Sequence, residues 1–185
     1  MLRDGSTLRL RPVRPDDGGR LQDLHERLSR ESLYFRFFSV PAGHAPEVAR
    51  LLRADYDNEF VLVAESGGRL SAVASYTRDP ATPGRAQVAF TIADALQGRG
   101  IGTRMLETLA GIARDHHIRT FDAYVLYDND RMLNVFLDSG FEVTQRLDGG
   151  MFHVALSLEG VALMPLFLSC RAAARARTSA TAARA

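Results

Sequence analysis

The run Gln97-Gly98-Arg99-Gly100-Ile101-Gly102 places a glycine at every second position, between the apolar stretch Val88-Ala89-Phe90-Thr91-Ile92 and a helical pattern that opens near Thr103. A strand, a glycine-rich turn and a helix start aim several backbone N–H groups at one point, where the helix dipole adds partial positive charge. That is chemistry for holding a pyrophosphate. Three patterns compete for the run. A P-loop needs Gly, four residues and then Gly-Lys-Ser/Thr, and the chain of 185 residues contains no lysine, which excludes it. A dinucleotide fingerprint fits poorly, because Thr103 stands where its third glycine belongs. The pattern Gln/Arg-x-x-Gly-x-Gly/Ala is met at each defined position by Gln97, Gly100 and Gly102.

A bare flexible turn is the alternative, and the elements around the glycines argue against it. Ile101, Met105, Leu106, Leu109, Ile112 and Ala113 recur three or four apart, so one helix face packs on a sheet while the first turn faces a ligand. Asn129 stands eleven residues before Gly140-Phe141, and Met132, Leu133, Phe136 and Leu137 between them predict a second amphipathic helix over 130–139. Upstream, Leu8, Leu10 and Pro12 alternate with Arg9 and Arg11 as a first strand. Asp16 or Asp17 is expected to cap a helix whose buried face carries Leu21, Leu24 and Leu28. Residues 29–38 read as a second short helical or irregular segment and residues 46–53 as a third. Residues 60–64 and 70–76 read as strands joined at Gly67-Gly68. Strands are also predicted near 88–93, 120–126, 142–147 and 151–158, the last two joined through Asp148-Gly149-Gly150.

The glycine run and the Asn129 to Phe141 spacing, in this order, resemble the acetyl-CoA-binding and C-terminal halves of the GNAT superfamily of acyltransferases. The resemblance implies an α/β fold with a central mixed, mostly antiparallel sheet flanked by helices, over residues 1–158. It can be narrowed. Leu28-Ser29, Glu31-Ser32, Tyr34-Phe35-Arg36-Phe37-Phe38-Ser39, Asp55-Tyr56-Asp57, Tyr76 and Arg78-Asp79-Pro80 look like the GNAT domain of bacterial Pat-type protein lysine acetyltransferases. Some of those enzymes carry a cyclic-nucleotide-binding or acyl-CoA-synthetase-like domain, for which 185 residues leave no room. Residues 159–185 are set apart as an apolar segment followed by an Ala/Arg-rich tail without an apolar face, expected to be partly disordered or a frayed helix.

Composition narrows the partners. The chain is sized for one domain, and the apolar segment 161–170 is too short for a bilayer span of about 20 residues, although it could lie on a surface. The single cysteine, Cys170, and an opening Met1-Leu2-Arg3-Asp4-Gly5 that is no secretory leader both fit a reducing cytoplasm. All 23 basic residues are arginine, and Arg171, Arg175, Arg177 and Arg184 follow the last acid, so the body is slightly acidic and nucleic acid is not an expected partner. The absence of lysine suits either a GC-rich genome or an enzyme that must not acylate itself.

The resemblance also implies roles. Acetyl-CoA, as cosubstrate, would set its pyrophosphate on the N–H groups of Gly98, Arg99, Gly100, Ile101, Gly102 and Thr103. Its pantetheine arm would pair with the main chain of Phe90, Thr91 and Ile92, with Gln97 and Asn129 completing the site. A plain helix cap is the other reading of Asn129. The acceptor is an amine, with a protein lysine leading and a small amine or amino acid as the alternative. Pat-type enzymes resemble Ala-Glu-Val-Ala-Phe on the first site strand, with glutamate as the base. This chain has Ala86-Gln87-Val88-Ala89-Phe90, and Gln87 accepts no proton at neutral pH, although it can orient a water or the amine. That loss makes a non-catalytic acyl-CoA-binding regulator a further alternative. The family's tyrosine, seven residues after Asn129, is replaced by Phe136, and Tyr127 is the nearest substitute. Glu59, Glu65, Asp128 and His153 are further possible bases, each also readable as an ordinary surface or strand residue. No metal site is expected. His116 and His117 are adjacent rather than one helical turn apart, and both read as surface residues.

Overall fold

The structure, a computed structural model, describes residues 7–159. Strand β1 (Arg9–Pro12) is followed by three helices, α1 (Gly18–Glu26), α2 (Arg30–Phe37) and α3 (Ala45–Leu52). Then come β2 (Glu59–Ser66), β3 (Arg69–Arg78), β4 (Arg85–Ile92), α4 (Ile101–Asp115) and β5 (Thr120–Leu126). Helix α5 (Asp130–Leu137) and the hairpin β6 (Glu142–Asp148) and β7 (Met151–Ser157) complete the unit. All seven strands lie in one sheet in the order β1-β2-β3-β4-β5-β7-β6. Every neighbouring pair is antiparallel except β4 and β5. The expected mixed, mostly antiparallel sheet flanked by helices is therefore what the chain forms.

Alternation along the strands divides the core between the two faces of the sheet. Phe60, Leu62, Ala74, Tyr76, Ala86, Val88, Phe121 and Val125 pack on one face under Met105, Leu106, Leu109 and Ile112 of α4. Val61, Val63 and Val73 face the other way, against Leu21 and Leu24 of α1 and Val48 and Leu51 of α3. This second core stops short of β5, so the same face of β5, β7 and β6 has no helix over it among the described residues, and Tyr124 is 46% exposed there.

Four details differ from the sequence expectation. Asp17 occupies the residue before α1, yet its carboxylate makes no cap to that helix. Both oxygens are instead held at 2.7 Å by the buried Arg11 guanidinium, and one also accepts from the Arg14 N–H at 2.8 Å. An interior cation on β1 outbids a helix N–H for the carboxylate because a charge removed from water needs a full counter-charge. His116 is half-buried rather than a surface residue, with Nδ1 at 3.0 Å from the Tyr76 hydroxyl; only His117 is exposed. Helix α5 stops at Leu137 rather than residue 139. Leu28 is buried beyond the end of α1, with its N–H on the His25 carbonyl. The expectations for residues 1–6 and for the tail at 160–185 lie outside the described residues.

Removing Asp17 strands Arg11 with Glu65, at 3.0 Å, as its remaining anion. Asp17→Ala is expected to cost about 3 kcal/mol in urea unfolding, the lower end of the range for a broken buried pair. A pH dependence follows from His25, which is 0% exposed. Burial holds its imidazole below the ordinary value, while the Leu21 carbonyl at 2.8 Å acts in the opposite direction. The unfolded chain takes up a proton near pH 6.5 that the folded chain refuses, so stability falls as pH drops below about 6.5. Urea midpoints measured between pH 7 and pH 5 are expected to decline, and His25→Leu to flatten that decline whatever its absolute stability.

Candidate active site

The parallel pair β4 and β5 is joined at only three positions, Arg85 to Thr120, Ala86 to Phe121 and Gln87 to Asp122. Beyond them β4 continues to Ile92 and β5 to Leu126 with no pairing between the two. The gap is filled from α5, where Phe136 sets its ring edge-on to Phe90 at 6.0 Å and Met132 packs alongside. The edge of β4 that faces the gap therefore keeps main-chain groups available for another extended chain. A cleft of about 640 Å³ runs from this edge to the start of α4, lined by Phe90, Thr91, Ile92, Gln97, Gly98, Arg99, Gly100, Ile101, Gly102, Thr103 and Asn129 among others. Eleven of the sequence-nominated residues thus meet around one cavity.

The three glycines do different work. Gly98 and Gly100 have φ of 73° and 82°, the left-handed region, and an added Cβ at either meets nothing within 4 Å. Their requirement is conformational. Gly102 is helical, and a Cβ there would lie 3.2 Å from Val135 and 3.3 Å from Ile92, so it lets α4 approach α5 and β4. The first intrahelical bond of α4 runs from the Arg104 N–H to the Gly100 carbonyl, which leaves the N–H groups of Ile101, Gly102 and Thr103 without helical partners. Those donors, with Arg99, Arg104 and Arg131 in the cleft wall, suit a phosphate ligand.

Gln97 spends its side chain on protein. Its Nε2 donates to the Ser32 hydroxyl at 3.0 Å and the Ile92 carbonyl at 3.1 Å, and its Oε1 accepts from Arg131 at 2.9 Å. Asp94 reinforces this node, accepting from the Ser29 N–H and hydroxyl at 2.8 and 2.9 Å and from the Ser32 hydroxyl at 2.5 Å. Asn129 caps α5, its Oδ1 accepting from the Met132 N–H at 3.2 Å, so the cap reading is realised while its amide NH₂ stays a donor on the cleft wall.

A smaller notch opens at the head of the split, lined by Phe35, Arg36 and Phe38, by Gln87 to Phe90 of β4, and by Tyr124 and Asn129. Gln87 is exposed on the strand face opposite α4. On that face Asp122 accepts from Arg85 at 2.8 and 2.5 Å and lies 2.7 Å from His153 Nε2, whose ring stacks on Tyr124 at 5.1 Å. Tyr127 is 63% exposed and lines neither the cleft nor the notch. Glu59 and Glu65 are held in ion pairs with Arg50 and with Arg11 and Arg20, and Asp128 is exposed at the end of β5. Arg36 is likewise engaged: burial lowers its guanidinium from the ordinary value and Glu47, at 2.9 Å, opposes that shift. Phe35, Arg36 and Phe38 enter the sequence reading only within the run that resembles Pat-type enzymes, and Asp122, His153 and Arg85 share no spacing motif; strand register alone unites these three.

A mixed sheet with one parallel pair, split open beside a glycine-started helix, is the scaffold of a GNAT N-acetyltransferase. The model of the acetyltransferase (GNAT) family matches residues 26–141, and the chain belongs to that family. It is 34% identical over 166 residues to acetyltransferase Pat of Mycolicibacterium smegmatis, covering 89% of this chain and 50% of that protein. It thus spans half the length of that relative. Among solved structures it is similar to the GNAT domain of S. lividans PAT, with 37% identity, a TM-score of 0.78 and coverage of 84% of this chain and 93% of that one. The cAMP-binding acyltransferase from Mycobacterium smegmatis matches at 29% identity and a TM-score of 0.68, covering 97% of this chain and 54% of that one.

The glycine roles are separable by substitution. Gly100→Ala forces a left-handed alanine, about 1–2 kcal/mol less stable by thermal unfolding, and turns N–H donors away from the cleft. Gly102→Ala crowds Val135 and Ile92, and is expected to lower stability by about 1 kcal/mol while leaving the Gly98 and Gly100 backbone in place. Calorimetric titration with CoA is expected to show the larger affinity loss in Gly100→Ala.

Proposed function

We propose that this N-acetyltransferase moves an acetyl group from acetyl-CoA to the side-chain amine of a lysine on a protein. The observation that carries this reading is the split between β4 and β5, because it places an unpaired strand edge and a helix N-terminus along one cleft. The pyrophosphate would rest on the N–H groups of Ile101, Gly102 and Thr103, and the pantetheine amides would pair with the main chain of Phe90, Thr91 and Ile92 as an added strand. The Asn129 amide would meet the same arm in the gap. Acetyl-CoA supplies an activated thioester carbonyl, and a thiolate leaving group with a reference pKa near 8.5 departs with little acid assistance. The missing tyrosine at Phe136 is therefore tolerable.

Two features support a macromolecular acceptor. Residues 28–39 and 55–57 resemble those of Pat-type protein lysine acetyltransferases, and the face of β5, β7 and β6 beside the notch has no helix over it among the described residues. A lysine side chain is long enough to reach the notch from a protein resting on that face. The residues there fit such a group without enclosing it: Phe35 and Phe38 give apolar walls for its methylenes, and Gln87 can orient its amine.

The test pairs calorimetry of acetyl-CoA with a thiol-release assay on lysine-bearing peptides, free amino acids and polyamines. Binding with turnover on peptides is the expected result. Turnover confined to small amines would overturn the protein acceptor. Binding without turnover on any acceptor, with turnover appearing in Gln87→Glu, would overturn the native activity.

A further inference from the structure

The reaction needs a base, and the strand position at which Pat-type enzymes resemble a glutamate holds Gln87. A lysine ammonium has a reference pKa near 10.4, so at neutral pH the attacking lone pair must be uncovered by a group that takes a proton. The groups around the notch can be examined in turn. Arg36 and Arg85 are cations. The Tyr124 hydroxyl is a hydrogen-bond donor on the notch wall and offers no carboxylate or imidazole lone pair. Asp122 has both oxygens occupied, Oδ2 by Arg85 and Oδ1 by Arg85 and His153. Glu47 and Glu59 are locked in ion pairs with Arg36 and Arg50. Asp128 is not among the residues that line the notch, and His153, whose ring stacks on the notch residue Tyr124, remains.

Its placement follows from register. Gln87 pairs with Asp122 across the last rung before the split, and Tyr124, two residues on, pairs with His153 of β7. The period of two puts Gln87, Asp122, Tyr124 and His153 on one face, the face that carries no helix at β5 and β7 among the described residues. Tyr124 lines the notch, and the His153 ring lies against it, 21° from parallel. The His153 side chain is 39% exposed, against 14% for Asp122. The imidazole therefore stands open to the surface from which an acceptor must approach, with the carboxylate tucked behind it.

We infer that His153, oriented by Asp122, is the general base of this transferase, acting on the acceptor amine through a water held beside Gln87. This rests on the acetyl-transfer reading above. The Asp122 carboxylate can only accept, so Nε2 carries the hydrogen and Nδ1 presents the lone pair, with the tautomer set by the partner. One ammonium proton passes through the water to Nδ1, giving an imidazolium stabilised by Asp122. The freed nitrogen lone pair forms the N–C bond as the C–S bond breaks. The second proton leaves the nitrogen for the CoA thiolate, and His153 returns its own to solvent. The charged groups facing the imidazole are Arg85 from β4, Asp122 from β5 and Arg146, its register partner, from β6, with the Tyr124 hydroxyl beside them. Arg85 shares the Asp122 carboxylate with His153, so the imidazole is not its only counter-group.

The test compares wild type, His153→Gln and the double variant His153→Gln/Gln87→Glu, with acetyl-CoA and a lysine peptide that wild type acetylates. His153→Gln is expected to lower kcat about 100-fold, to keep the acetyl-CoA affinity and thermal midpoint of wild type, and to lose the acidic inflection of kcat/KM. The double variant is expected to regain much of the rate, which repair of a merely structural defect would not do. An independent readout is NMR titration of the imidazole in wild type, whose inflection is expected to coincide with that of kcat/KM, with the kcat/KM inflection absent from His153→Gln. Full rate and an unchanged pH profile in His153→Gln would overturn the inference while leaving the acetyl-transfer reading intact. Failure of wild type to acetylate any acceptor would overturn both.

Discussion

The end of β4–β5 pairing at Gln87 and Asp122 is the constraint on which the site depends. Two parallel strands that stop pairing partway leave main-chain donors and acceptors unsatisfied, and a buried group in that state costs about 1–3 kcal/mol. The fold supports the split in two ways. It keeps the gap open to solvent as a cleft, and it assigns one of the freed groups, the Ile92 carbonyl, to the Gln97 side chain. The Phe90 and Phe136 rings then prevent the strands from closing. Both openings adjoin this defect: the cleft that runs to the start of α4 and the notch at the head of the split.

A second dependence links the two sides. Asp94 and Gln97, in the turn that leaves β4, bind Ser29 and Ser32 at the start of α2, and Gln97 also holds Arg131 at the start of α5. Phe35 and Arg36, one turn along α2, form a wall of the notch. The turn that leads into α4 is thus the same one that positions a wall of the notch. This gives Gln97 a physical role different from the one its place in the glycine pattern suggests. It organises the protein around the cleft, and it does so with both ends of its amide.

Much of the architecture was legible because periodicity survives in the sequence. The α4 stripe of Met105, Leu106, Leu109 and Ile112 and the alternation in β5 each declare a buried face, and the unbroken apolar run of β2 declares a strand covered on both. The glycine run announced a cradle, although it could not say that Gly102 serves helix packing while Gly98 and Gly100 serve backbone conformation. The failures have a common cause. Asp17 looked like a cap because the Arg11 that claims it lies on a strand whose depth no local pattern reveals. His116 looked exposed because its partner, Tyr76, is 40 residues away. The cluster of Arg85, Asp122 and His153 depends on three strands, one of them out of chain order in the sheet, and register of that kind is a property of the folded sheet alone.

That same register explains how a site can lose its glutamate without losing its chemistry. Sheet faces are shared: a side chain on β4 has neighbours at the same level on β5, and β5 has its own on β7. A proton acceptor displaced by two strands remains on the same face, and one water can span part of the added distance. A carboxylate on β4 must be kept from ionising too readily by burial, whereas an imidazole has its unperturbed value near 6.5, close to neutral pH, without that help. The base can therefore sit farther out, on an exposed strand face, where a carboxylate would be solvated and weak. The proposed base thus sits on the face of β5 and β7 that no helix covers among the described residues, where its ring stays open to solvent.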